Sequence, residues 1–232
     1  MPAEDQPTSS LPTAAVADAA VRLGISIRQA PVALIPLNPG RRYSGPARPI
    51  THLGSVDVLL ETIDDAPDGA VMVVDNGGRR DEACVGDLIT LEAKLAGLSG
   101  IVIWGLHRDT AQLREIDLPV HSLGANPFGP RRVPPAGTPM RSAFFDGVAV
   151  TDADWVFGDD DGVLFVGPDR RDELLELAAS ILATESAQSV RMSAGTSLRA
   201  QVDFDGYRAK QAVDPTMTLR RHLVEQGGAV ET

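Results

Sequence analysis

The chain has 232 residues, 43% hydrophobic side chains and a formal net charge of -11, which suits one domain of ordinary size with arms, or one large domain, around a real core. That acidity, with basic residues only in isolated pairs such as Arg79-Arg80 and Arg131-Arg132, argues against a nucleic-acid-binding surface. One cysteine, Cys84, excludes an internal disulfide and points to a reducing, cytoplasmic setting; no run reaches the roughly 20 apolar residues of a membrane helix, and the acidic, polar MPAEDQPTSS does not read as a signal peptide.

Residues 1–10 read as a disordered lead-in. Leu11-Pro12-Thr13 supplies a capping residue for an Ala-rich helix with Val16, Ala20 and Leu23 on one face, stopped by Gly24. Asp18 is expected to face solvent. Ile25 to Asn38, broken by Pro31 and Pro36, predicts short extended pieces. Gly45-Pro46 reads as a turn before a strand through Ala47 to Thr51, and Ser55 to Ala66 as a short helix. His52, between them, is expected to be a surface residue.

The central stretch is Ala70 to Asp109. Ala70 to Val74 is an apolar, mostly β-branched run closed by Asp75-Asn76-Gly77-Gly78, the pattern of a buried strand and a turn. Gly86-Asp87 opens a segment with Leu88, Ile89, Leu91 and Leu95 at helical spacing, closed by Gly97, and Ile101 to Gly105 reads as a second buried strand. Strand, helix, strand predicts a right-handed crossover between parallel strands. Its carboxyl edge, where ligands bind in open α/β sheets, collects Asp75, Asn76, Gly86, Asp87, Arg108 and Asp109. A helix amino terminus offers N–H groups to an anion, Arg108 adds a bidentate donor for a carboxylate, and Asp109 can give one oxygen to a hydrated divalent cation such as Mg²⁺. The same residues also read as a surface ion pair and an ordinary first-turn Asp. Cys84 sits just before this helix, where a thiol can become acidic; a buried filler is the other reading. His107, beside the site, is a candidate acid or base.

Thr110 to Ile116 predicts a short helix and Leu118-Pro119-Val120 the start of a third strand. Asn126 to Pro139 is a Pro- and Gly-rich loop, of the kind that is either mobile or serves an interface or the rim of a site. Arg141 to Val150 has strand character around an Asp146-Gly147 hairpin turn. Asp159-Asp160-Asp161 lies between two apolar runs and lacks the alternating ligands of a Ca²⁺ loop, so it predicts a hairpin turn. Pro168 to Glu185 is an amphipathic helix with Leu174, Leu175, Leu177, Ala178, Ile181 and Leu182 on its apolar face. Beyond it, Leu198 to Lys210 reads as one helix, Asp214-Pro215 as a break and Leu219 to Gln226 as a last turn or two. The four histidines are too scattered for a zinc motif, and no Rossmann-type Gly-rich loop follows a first strand.

GDLITLEAKLAGLSGIVIWGLHRDTAQLREIDLPV, with LPTAAVADAAVRLG before it and DWVFGDDDGVLFV after it, resembles the RraA-like proteins. These include the metal-dependent 4-hydroxy-4-methyl-2-oxoglutarate / 4-carboxy-4-hydroxy-2-oxoadipate aldolases and the regulator of RNase E activity. The resemblance implies an α/β chain of the swivelling β/β/α type with a βαβ core over residues 11–185, assembled as a homotrimer or homohexamer. The helical C-terminal extension over 186–232 carries apolar and aromatic residues that are expected to pack at a subunit interface, or else on their own domain. It implies pyruvate held by the backbone of Gly86, Asp87, Leu88 and Ile89 and the side chain of Arg108. By the same likeness Asp109 anchors Mg²⁺ or another divalent cation such as Mn²⁺, and Asp87 positions a proton-carrying water. The implied activity is class II cleavage of 4-hydroxy-2-oxo acids, with oxaloacetate decarboxylation beside it; the other branch implies a non-catalytic regulator of a ribonuclease or helicase. The sequence departs from the aldolase pattern at Gln112, where an acidic residue is expected, and at His107, where a small or aliphatic one is.

Overall fold

A computed structural model describes residues 11–132 and 141–226. The lead-in expected over 1–10, the end of the loop expected to reach Pro139, and the last six residues lie outside them. In chain order the elements are α1 (Thr13–Leu23), β1 (Arg28–Gln29), β2 (Ile35–Pro36), β3 (Tyr43–Thr51), α2 (Asp57–Asp64), β4 (Val71–Asp75), β5 (Ala83–Val85), α3 (Asp87–Leu95), β6 (Gly100–Trp104), β7 (Leu106–His107), α4 (Thr110–Ile116) and β8 (Val120–Ser122). There follow β9 (Ala143–Phe145), β10 (Val148–Val150), β11 (Trp155–Asp159), β12 (Gly162–Val166), α5 (Arg171–Ser193), α6 (Leu198–Gln201), α7 (Phe204–Val213) and α8 (Leu219–Glu225). The chain forms two compact units, one holding Ser26–Arg171 and the stretch up to Thr13, the other Ala14–Ile25 and the residues from Asp172 on.

The first unit is built on an eight-stranded mixed sheet in the order β1-β12-β11-β3-β4-β6-β8-β2. Strands β3, β4, β6 and β8 are parallel neighbours; the others pair antiparallel. Successive strand residues face opposite sides. Met72, Val74, Ile101 and Ile103 enter a cluster with Leu59 and Ile63 of α2, Ala93 of α3 and Leu113 of α4. Val71, Val73 and Val102 enter another with Phe145, Val150, Val156 and Phe165. With both faces covered, β4 is apolar from Val71 to Val74, which is why it reads as an unbroken run rather than an alternation.

The expected strand–helix–strand core is present, with β4 and β6 parallel in the register Val71↔Gly100 to Asp75↔Trp104. The Asp146-Gly147 turn joins β9 to β10, both residues at positive φ. The acidic triplet closes the β11–β12 hairpin, Asp159↔Gly162. Its Asp159 is buried and accepts from the Thr13 N–H at 2.8 Å and hydroxyl at 2.6 Å, so Thr13, expected to cap a helix with its own oxygen, donates to a carboxylate from a distant hairpin.

Three expectations need correction. Gly45-Pro46 is no turn but part of β3, since only glycine fits there: a methyl group on Gly45 would stand 1.8 Å from the Gly69 carbonyl oxygen. The helix expected over Pro168 to Glu185 starts at Arg171 and continues to Ser193, so residue 186, the expected start of the extension, lies inside α5. Leu198 to Lys210 is two helices, because Asp203 at φ 46 turns the chain between them and its carboxylate accepts from the Gly206 N–H.

The second unit is helical, comprising most of α1 with α5 to α8. Leu174, Ala178 and Ile181 are the buried residues of α5, so half of the expected apolar face is partly exposed. Among the described residues no helix is long and apolar enough to cross a membrane.

Candidate functional site

The crevice forms at the carboxyl edge of the parallel strands through a pairing the sequence reading missed. Ala83–Val85, three buried residues, run parallel to Leu106–His107 with Val85 opposite His107, and the Arg108 N–H donates to the Val85 carbonyl at 3.0 Å. This two-stranded clip brings Gly86 beside Arg108 and Asp109. A methyl group on Gly86 would stand 2.5 Å from Asp109 Oδ2 and 2.9 Å from Arg108 Nε, so the cradle exists only because residue 86 has no side chain.

Gly86 is the N-cap of α3. Asp109 Oδ2 lies 3.2 Å from Arg108 Nε and 3.4 Å from the Asp87 backbone nitrogen, so a carboxylate of the chain itself sits where the helix amino terminus favours negative charge. Asp87 Oδ1 accepts from the Leu88 N–H at 2.8 Å. Asp109 has φ 58 and ψ 42, a left-handed backbone that Asp tolerates better than most residues, and serves as N-cap of α4. The Arg108–Asp109 pair is roughly 46% and 34% exposed, a geometry worth about 0–1 kcal/mol to stability. Such a pair can be altered with little effect on folding.

The backbone from Gly86 to Ile89, Arg108 and Asp109 are thus brought together as expected residues of one edge. Ile89, however, turns its side chain toward the core, whereas Leu88 is 76% exposed. The crevice holds about 480 Å³ and is lined by Gly86, Asp87, Glu92 and Arg108 together with apolar groups such as Leu60, Leu91 and Leu95. Gln112 lines an adjoining groove with Asp87 and Glu115. Among the described residues no three or more His, Cys, Asp or Glu side chains form a group able to hold a metal. A lone carboxylate at Asp109 fits a hard cation that keeps most of its water shell, and does not fit zinc.

Other candidates take structural roles. Asp75 accepts from the Gly77 and Phe144 N–H groups, and Asn76 is buried. His52 is not a surface residue: it is 2% exposed with Nδ1 2.9 Å from Asn76 Oδ1. His107 is buried, Nδ1 2.8 Å from Ser122 Oγ and Nε2 3.0 Å from Thr110 Oγ1. Burial and the Arg114 charge lower its pKa, so it is a neutral, fully engaged imidazole behind Arg108 rather than an acid or base reaching substrate.

Cys84 is the buried filler, not an acidic thiol; burial pushes it up to about 12. It should resist iodoacetamide at pH 8 in the folded protein and react only after denaturation, as mass spectrometry of the intact chain would record. Glu82, which the sequence reading passed over, is 4% exposed. Burial by itself raises its carboxyl, but hydrogen bonds and charge from Arg132, with Arg79 nearby, outweigh that and hold it below the usual range. A depressed carboxylate stabilises the fold above its unfolded pKa and loses that contribution as pH falls through the folded one. Urea midpoints should therefore decline below about pH 4.5, and decline less in Glu82→Gln.

The fold and this edge define a mixed α/β protein with a crevice at the ends of its parallel strands. A family profile described as RraA-like, Aldolase/RraA, matches residues 13–165, well over half of the chain, and the chain belongs to the RraA-like family. Protein DlpA of Legionella pneumophila is 30% identical over 177 residues, 73% of this chain, but the chain spans only 29% of that relative's length. A Halorhodospira halophila protein named "Putative 4-hydroxy-4-methyl-2-oxoglutarate aldolase" is 36% identical over 128 residues, 53% of this chain and 77% of that one. The crystal structure of Streptomyces coelicolor RraAS2, described as an unusual member of the RNase ES inhibitor RraA protein family, aligns at TM-score 0.69 and 25% identity over 80% of this chain and 96% of that one.

Proposed function

We propose that the chain is a divalent-metal-dependent pyruvate aldolase that cleaves 4-hydroxy-2-oxo acids such as 4-hydroxy-4-methyl-2-oxoglutarate and decarboxylates oxaloacetate at the same site. The observation that carries this reading is the meeting of Gly86, Asp87, Arg108 and Asp109 in one cradle, together with membership of the family. Arg108 binds the carboxylate end of the 2-oxo acid as a planar donor. The α3 amino terminus adds partial positive charge where the oxygen of the departing pyruvate enolate becomes negative. Asp87 holds the water that takes the proton from the 4-hydroxyl and later returns one to carbon. Mg²⁺ or Mn²⁺ anchored by Asp109 would supply Lewis-acid polarisation of the 2-oxo group. Oxaloacetate shares the site because its loss of CO₂ also yields pyruvate enolate.

The exposed Leu88, Leu91 and Leu95 on α3, with Val56 at the N-cap of α2 and Leu60 within it, form an apolar stripe that supports assembly as a homotrimer or homohexamer. A cytoplasmic setting goes with this reading. One observation favours the second reading, a regulator binding a ribonuclease or helicase partner: Gln112, in the groove with Asp87, lacks the acidic group of the aldolase pattern.

A coupled assay for pyruvate with oxaloacetate separates the two. Turnover with Mg²⁺ or Mn²⁺ that EDTA abolishes is expected of the enzyme. Asp109→Asn should reduce it about 100-fold or more; Asn is the cleaner replacement because it also tolerates φ 58. No turnover with any common divalent ion would reject the aldolase reading.

A further inference from the structure

Residues 126–132 form a strap across Arg108. It is tied at its start, where the Asn126 N–H donates to the His107 carbonyl at 2.9 Å, and in its middle, where Phe128 accepts from the Ala83 N–H at 2.7 Å. Its far end is held by Arg132, whose Nε and Nη2 donate to Glu82 Oε1 at 2.9 and 2.6 Å and whose Nη2 also donates to Asn76 Oδ1 at 2.9 Å. Between the last two ties lie Gly129 and Pro130. A methyl group on Gly129 would stand 2.8 Å from Arg108 Nη1, and Pro130 lines the crevice with Gly86 and Asp87.

We propose that the pair of buried Glu82 with half-buried Arg132 is a latch that sets this strap against Arg108, which makes Glu82 and Arg132 positioning residues for the substrate-binding guanidinium. Two features argue for a specified geometry. A buried carboxylate is costly to desolvate unless paired, and a loop that only needed closing is held as well by apolar side chains. Gly54 makes room for the latch, since a methyl group there would stand 2.7 Å from Arg132 Cβ and 2.8 Å from its carbonyl oxygen. The guanidinium meets one carboxylate oxygen through two nitrogens and Asn76 through one of them, a fork that lysine cannot reproduce.

The inference rests on Arg108 binding substrate, and the experiment keeps the two apart by including readouts that need no turnover. Glu82→Gln keeps the volume and removes the charge, Arg132→Lys keeps the charge and removes the fork, and Arg131→Ala removes a neighbouring side chain that stacks 4.7 Å over Phe128. In Glu82→Gln, amide exchange at Ala83 should speed by about tenfold or more, and the Arg108 Nε–H resonance should shift. Its KM for oxaloacetate should rise about tenfold with kcat within about threefold. Arg132→Lys should fall between it and the parent, and Arg131→Ala should match the parent. Unchanged Ala83 exchange and Arg108 resonance in both latch variants would overturn the proposal, as would a loosened strap with an unmoved Arg108 resonance. If the parent shows no turnover, the aldolase reading falls, while exchange and resonance still decide the latch. Should Glu82→Gln fail to fold, Arg132→Lys carries the same comparison.

Discussion

Arg108→Ala should lower kcat/KM for pyruvate release from oxaloacetate by about 100- to 1,000-fold, the range for losing one preorganised charge donor, while its melting temperature stays within about 3 °C of the parent's. The two halves have separate causes. The side chain is 46% exposed, and among the described residues its ion pair is with the neighbouring, 34% exposed Asp109, so removing it leaves no buried charge unpaired. Its backbone N–H still donates to Val85, and the clip that builds the crevice survives. What is lost, under the proposed function, is the guanidinium that binds the carboxylate end of the keto acid. Arg108→Lys should recover a small part of the activity, since a point charge replaces a planar fork. A steady-state assay and a calorimetric scan of the same preparations check this, and near-parental activity in Arg108→Ala would remove Arg108 from the site.

Gly86→Ala should be nearly as damaging, for a reason that needs one added carbon. At φ -132 and ψ -166 the backbone is extended and accepts any residue. Alanine is a poorer N-cap than glycine, at a cost of a few tenths to about 1 kcal/mol. It also restricts the unfolded chain, which returns about 0.4–1 kcal/mol, so the two offset each other. The new methyl group would stand 2.5 Å from Asp109 Oδ2 and 2.9 Å from Arg108 Nε. Asp109 Oδ2 ends a short side chain and Arg108 Nε lies along a flexible one, with Arg108 Cγ at 3.1 Å, so both side chains turn aside while the backbone clip stays in place. That movement displaces the two groups assigned to the reaction in the proposed function, and a displacement of about 1 Å is enough for roughly 100-fold in rate. Parental stability with activity near that of Arg108→Ala is the expected pairing. An active Gly86→Ala would mean that the cradle does not hold the reacting end of the substrate.

Sequence alone determined the strand–helix–strand core, the start of α3 at Gly86-Asp87, the α4 segment, the hairpins at Asp146-Gly147 and at the acidic triplet, and the position of Gly86, Asp87, Arg108 and Asp109 at one sheet edge. Each of these is written within a short window, as an apolar run, a 3.6-residue spacing or a turn dipeptide, and needs no distant partner to be read. Only the tertiary structure decided which of the edge residues face the crevice. The β5–β7 clip that presses Gly86 against Arg108 joins segments more than 20 residues apart through two very short strands, below what periodicity can signal. Asp75, Asn76 and His52 looked as available as Asp87, yet Asp75 is taken up by backbone N–H groups, and Asn76 and His52 are buried against each other. Glu82 and Arg132 gave one faint sign each, an acid before an apolar triplet and an arginine pair after a Pro- and Gly-rich turn. Their meeting depends on where a loop crosses a sheet edge. Local patterns choose the elements, but contacts between elements follow from packing and register summed over the whole unit, which no single stretch of sequence contains.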